Sequence, residues 1–180
     1  MDTGLIPQRY AKALYKVAVE HNDTRAMYDI AKNVIEAFTR NPELQKVLSN
    51  PFVNGEDKEK LLLSAAGDLA NEDYKRFLKL IIDNKRVDFA HQMMLAYRDI
   101  YRKENHISQV HISTASKFHA HQMKRLRQLV EDAFPSSTLE FSESVNPDLI
   151  GGFVIDVDAV RLDASISNEL EQLRQTLLKS

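Results

Sequence analysis

The 180-residue sequence contains no cysteine. That removes disulfide scaffolds, thiolate metal sites and cysteine nucleophiles from consideration, and it suits a reducing compartment. Charge of one sign is also lacking: 24 Lys and Arg stand against 26 Asp and Glu, for a formal net charge of −2. No basic field therefore advertises nucleic acid. Residues 1–105 carry 17 cations against 16 anions and residues 106–180 carry 7 against 10. That asymmetry is too small to point to a partner. No apolar run approaches the roughly 20 residues that a bilayer-spanning helix needs. The opening "MDTGLIPQRYAKAL" has no cationic segment leading into a long apolar one, so no signal peptide is expected. The expectation is a soluble protein whose membrane attachment, if any, is indirect.

What is present is ordinary for a globular chain: 43% hydrophobic and 28% charged residues, with five glycines and five prolines. The length suffices for one large domain or two small ones. Up to Glu104 the apolar residues recur at helical spacing. The first stripe is Ile6, Tyr10, Ala13, Leu14, Val17 and Ala18, with Pro7 near the start. Asp23 or Thr24 is the expected cap of a second helix bearing Met27, Ile30, Ala31, Val34 and Phe38. Two Asn-Pro steps, Asn41-Pro42 and Asn50-Pro51, bracket a short third helix with Leu44, Val47 and Leu48. Leu61, Leu62, Ala65 and Leu69 mark a fourth, and Tyr74, Phe77, Leu78 and Ile81 a fifth. Ala90, Met93, Met94, Tyr97 and Tyr101 mark a sixth. After Glu104 the period changes. Val110, Ile112 and Thr114 alternate as in a strand. Met123, Leu126, Leu129, Val130 and Phe134 then return to helical spacing until Pro135. Leu139, Phe141 and Val145, then Phe153, Ile155 and Val157, then Val160 and Leu162 make three further strands. Ile166, Leu170, Leu173 and Leu177 make a last helix. The predicted class is α+β: a six-helix bundle over 1–105, then a mixed β-α-β-β-β-α domain over 106–180.

The stretch "NPDLIGGFVIDVDAVRLDASI" at 146–166 looks most like chemistry. A phosphate loop would run from strand through glycines to a helix, closed by Lys-Ser or Lys-Thr. Here Gly151 and Gly152 precede a strand, and no lysine lies between Lys124 and Lys179. The glycines are expected to serve a tight strand start, through positive φ or close backbone approach. Asp156 and Asp158 are expected on one solvent-facing strand surface, opposite Phe153, Ile155 and Val157. Asp163 and Ser165 are expected at the start of the last helix. A calcium loop would require a closing glutamate that is absent, so neither metal nor cofactor is expected. His119 and His121, two apart, should diverge on a helix. His106 and His111 should face opposite sides of a strand. No G-x-S-x-G elbow supports a hydrolase. "KRLRQL" at 124–129 lacks the aromatic platforms of single-strand binders and reads as a solvated helix face.

The first and fifth helices are apolar over more than one stripe. Ala11, Tyr15 and Ala18 flank the first, and Leu80 and Ile82 lie outside the fifth's main line. So wide an apolar arc implies a second partner. That partner is either another helix of the bundle or an external amphipathic helix in a groove between the two.

Three segments carry a family resemblance: "RYAKALYKVA" at 9–18, "FLKLIIDNKRVDF" at 77–89 and "DLIGGFVIDVDAVRLDASI" at 148–166. In that order, over essentially the whole chain, they resemble the delta subunit of F-type ATP synthases, the oligomycin sensitivity conferral protein family. Lys85 departs from the family, standing where many relatives have glycine, and "DVDAV" replaces a more usual Gly-Asp turn. The resemblance implies a non-catalytic stator connector. Its helical domain would hold the N-terminal helix of an alpha subunit between the first and fifth helices. Its second domain would engage the peripheral-stalk b subunits, tying the catalytic head to the stator at the cytoplasmic face of a bacterial plasma membrane. The groove residues so implied are Tyr10, Ala13 and Leu14 with Phe77, Leu80 and Ile81. The rival readings are a small nucleotide- or metal-dependent enzyme around Gly151, Asp156 and Asp158, and a nucleic-acid adaptor using Lys124 to Arg127.

Overall fold

A computed structural model describes residues 4–178. The chain divides between Glu104 and Asn105 into two compact units. The first is all helical: α1 (Leu5–Glu20), α2 (Thr24–Arg40), α3 (Glu43–Ser49), α4 (Gly55–Ala66), α5 (Glu72–Asp83) and α6 (Ala90–Glu104). Helices α2, α5 and α6 bury the stripes their spacing predicts, including Met27, Ile30, Val34, Tyr74, Leu78, Ile81, Met93 and Tyr97. Each such side chain gains roughly 1.5–3 kcal/mol from leaving water, which fixes the face that each helix turns inward.

Helix ends are set by local chemistry. Asn54 accepts from Asp57 N at 2.7 Å and starts α4, and Asn71 accepts from Tyr74 N at 2.9 Å and starts α5. Helices α1 and α5 both stop in the same way. Asn22 (φ 55°) and Lys85 (φ 54°) adopt left-handed backbone. Asp23 N then bonds Ala18 O at 2.8 Å, and Arg86 N bonds Ile81 O at 2.7 Å. This 6→1 closure satisfies carbonyls that the helix leaves open. Lys85, where relatives are expected to carry glycine, thus sits at a position whose backbone favours glycine.

Two expectations for this unit change. Asp23 occupies the cap position of α2, but its side chain makes no cap bond and instead accepts from Asn71 Nδ2. On α4 the inward face is Leu62 and Ala66, whereas Leu61 is exposed and Leu69 lies exposed on the following 3-10 turn. Helix α4 is covered from one side only, so the apolar positions next to that arc stay in water.

The second unit contains β1 (Ile107–Thr114), α7 (Ala120–Ala133), β2 (Thr138–Val145), β3 (Gly152–Val157), β4 (Val160–Ser165) and α8 (Ile166–Leu178). The strand order is β2-β1-β3-β4. Strand β1 pairs in parallel with β2, through the α7 crossover, and antiparallel with β3. Val110, Ile112, Ile155 and Val157 on one sheet face pack with Leu126 and Val130 of α7. Gly152 has φ 75°, and a Cβ there would collide with the carbonyl oxygen of Ala164 on β4. The expected glycine-dependent strand start is therefore at Gly152, with both of the anticipated reasons operating together.

Other expectations for this unit shift. Asp163 lies on β4, not on the helix, and accepts from Ser165 N at 3.0 Å. Ser165 is the cap, accepting from Asn168 N at 3.2 Å. Asp158 stands in the two-residue turn after β3 with φ 49°, and accepts from Gln109 N at 3.0 Å. His106 precedes β1 with φ 52° and so has no strand face. His119 is the cap residue of α7, off the helix proper, and its ring stacks on His121 at 5.9 Å. Val160 and Leu162 share the core face but lie on the edge strand, where both remain exposed. Leu129 is likewise exposed. The side chains of Leu173 and Leu177 lie outside the described residues.

Candidate functional site

The first helical unit carries an open apolar groove of about 300 Å³ between α1 and α5. His21, at the end of α1, meets Asp73, in the first turn of α5, with Nδ1 to Oδ2 at 2.6 Å. The two helices therefore run antiparallel, with Tyr10 and Leu80 toward the other end. The lining is Tyr10, Ala13, Leu14 and Val17 from α1, and Asp73, Arg76, Phe77 and Leu80 from α5. Five of the six residues named from the sequence are thus brought together. Ile81 is not among them: it is 0% exposed and packs inward. Its position one residue beyond Leu80 turns it roughly 100° around the helix, from groove to core.

The groove has a graded wall. Leu14 and Phe77 are nearly buried and form the floor, whereas Leu80 is 49% exposed and Val17 is 38% exposed. Ala13 has no side chain beyond Cβ, which lets another backbone approach α1 closely. Sequence reasoning did not single out Val17, Asp73 or Arg76 as groove residues. Val17 was legible from its place on the Tyr10–Leu14 stripe. Asp73 and Arg76 were not, because charged residues in an exposed first turn have no apolar period to betray them. Two larger hollows on the same unit, about 540 and 620 Å³, have more charged walls, with Lys12, Asp99 and Lys103 around one and Glu36, Arg40 and Glu43 around the other. A helix with an apolar stripe meets a more continuous apolar surface in the α1–α5 groove.

The rival sites look different. Ser142, His111 and Asp156 stand side by side in sheet register, an order that resembles a hydrolytic triad. His111 Nδ1 contacts Ser142 Oγ at 2.9 Å, but its Nε2 contacts Ser144 Oγ at the same distance. Asp156 is taken by Arg161, with Nε at 2.6 Å and Nη2 at 3.2 Å. That guanidinium holds the Asp156 carboxyl below the usual carboxylate range. A triad would aim the carboxylate at the imidazole. Here it points away, and the row is a cross-strand polar ladder. No group of three or more potential metal ligands converges among the described residues. Of the 124–127 cluster, Arg127 turns to the sheet, pairing with Glu143 and lying over the Phe141 ring at 5.1 Å. No described helix is long and apolar enough to cross a membrane.

A six-helix bundle with an apolar groove, followed by a small four-stranded sheet unit, defines a two-unit α+β protein whose most apolar open surface is a helix-lined trough. The chain belongs to the ATP synthase delta (OSCP) subunit family, whose model matches residues 6–177. It is 36% identical to ATP synthase subunit delta of Phocaeicola vulgatus over 99% of this chain and 96% of that one. It is 29% identical to the subunit delta of Prochlorococcus marinus (strain MIT 9312) over 94% of each. The fold is also similar to a chain in the cryo-EM structure of the Toxoplasma gondii mitochondrial ATP synthase hexamer. That likeness has a TM-score of 0.72 at 20% identity, covering 96% of this chain and 97% of that one. The family is a structural, non-catalytic stator subunit of the ATP synthase.

Proposed function

We propose that the α1–α5 groove holds the N-terminal helix of an alpha subunit of the catalytic head, while the second unit engages the peripheral-stalk b subunits. The subunit then ties the head to the membrane-embedded stator at the cytoplasmic face of a bacterial plasma membrane. Proton-driven rotation of the central stalk does work on the catalytic sites instead of turning the head with it. The subunit does no chemistry of its own; it bears load.

The observation that carries this reading is the groove, an apolar trough with a buried floor at Leu14 and Phe77 and an exposed lip at Leu80. An amphipathic helix laid there covers aliphatic surface, and each large side chain it removes from water contributes on the order of 1–3 kcal/mol. Tyr10 and Phe77 supply the rigid aromatic area that interface anchors favour. Isothermal calorimetry with a synthetic peptide from the N-terminus of the cognate alpha subunit tests it. Binding to the wild-type protein is expected, weakened at least tenfold by Leu80→Asp with the circular dichroism unchanged. A wild-type protein that takes up no peptide ends the assignment of the groove.

A further inference from the structure

Two charged residues, Asp73 and Arg76, line the otherwise apolar groove, and of the two Asp73 is the one largely withdrawn from water. Its side chain is only 9% exposed. Oδ2 lies 2.6 Å from His21 Nδ1. Oδ1 makes no hydrogen bond among the described residues, its nearest cation being Arg76 Nη1 at 3.9 Å, beyond hydrogen-bond reach. Arg76 is 74% exposed and has no other ion pair among the described residues. Every buried side-chain oxygen or nitrogen among the described residues has a partner, so Oδ1 keeps its remaining contact with water, on the groove side that Asp73 lines.

The carboxylate is also held in place. His21 pins one oxygen from the end of α1. Asn71 caps α5 through Tyr74 N at 2.9 Å and bonds Asp23 on the α1–α2 turn, which anchors the first turn of α5 to that corner. A helix docking over Leu80, Phe77 and Val17 removes the last water from Oδ1. A carboxylate oxygen desolvated without a donor is strongly disfavoured, and one that receives a charge-assisted hydrogen bond is not. Such a site discriminates sharply between an occupant that brings a donor and one that lacks it.

Resting on the reading of the groove just given, we propose that Asp73 sets the register and specificity of docking. Its Oδ1 accepts a hydrogen bond from a lysine or arginine on the docked helix, at the end of that helix's apolar stripe. His21 is the positioning residue, turning the carboxylate so that Oδ1 faces the groove.

The test is a double-mutant cycle by calorimetry, with the full-length protein and the alpha-subunit peptide. Wild type must bind first; its failure to do so defeats the reading of the groove itself. Given binding, Asp73→Asn is expected to weaken affinity about tenfold. One Lys→Ala or Arg→Ala change in the peptide should cost about tenfold against wild type and less than twofold against Asp73→Asn. His21→Ala should weaken binding less than Asp73→Asn does. Two results overturn the proposal. One is an Asp73→Asn protein that stays folded and binds like wild type. The other is a cycle in which no basic peptide position couples to Asp73 while Arg76→Ala reproduces the loss, because Arg76 then supplies the donor from within the chain.

Discussion

Gly152 lies opposite Ser165 in the β3–β4 ladder, and so close to the preceding Ala164 that a methyl on the glycine would strike the Ala164 carbonyl oxygen. Gly152 also holds φ 75°. Gly152→Ala therefore combines backbone strain with a backbone clash, and should cost about 2–4 kcal/mol. At Gly151 φ is not in the left-handed region, and the obstacle is the flexible side chain of Ile166, so Gly151→Ala should cost less. Thermal denaturation of the two variants ranks them; equal losses would mean that Gly152 has no special role.

Leu80 and Ile81 are neighbours with opposite fates. Ile81→Ala should destabilise the helical unit by about 2–4 kcal/mol, since a fully buried side chain leaves a cavity. Leu80→Ala should change stability by no more than about 0.5 kcal/mol, since half the side chain is already in water. Chemical denaturation distinguishes them. Comparable losses at both positions would remove the distinction between groove and core.

Lys85 closes α5 in left-handed backbone without glycine's freedom. Lys85→Gly relieves a conformational cost of roughly 1 kcal/mol. Part of that gain is returned through the greater entropy of the unfolded chain. A net rise of about 0.5 kcal/mol in unfolding free energy is expected, read from the denaturant midpoint at constant slope.

The Asp156–Arg161 pair makes a pH-dependent contribution of known sign. The carboxyl's folded pKa is depressed, chiefly by the hydrogen bond from Arg161. Its contribution to stability is therefore present above the ordinary carboxylate range and lost as pH falls through the folded value. Arg161→Ala should move the Asp156 midpoint upward toward the ordinary value in an NMR titration, with unfolding less acid-sensitive in that step. A midpoint that does not move would show that Arg161 is not the cause.

The helical faces of α2, α5 and α6 were legible because each is covered along a single arc, and apolar period reports a single arc faithfully. Helix α4 broke the pattern: the period includes Leu61, but its cover stops at Leu62 and Ala66. The strands at Val110, Phe153 and Val160 could be read as strands, but not their order. Alternation reports a face and says nothing of which neighbour lies alongside, so the central place of β1 and its parallel pairing with β2 came only with the coordinates. Edge position likewise explains why Val160 and Leu162 alternate like core residues yet stay wet. At the groove, apolar residues announced themselves, while Asp73 depended on a contact with His21 that spans 52 positions.

The two walls of the α1–α5 groove come from segments separated by about half of the helical unit, and the helices between them, together with α6 after them, build the bundle that holds the walls together. A chain still emerging from the ribosome, or one with a misfolded bundle, therefore lacks the groove in which docking of a partner helix is proposed. Recruitment into the larger machine would select for finished copies, giving assembly a built-in checkpoint without any dedicated inspector.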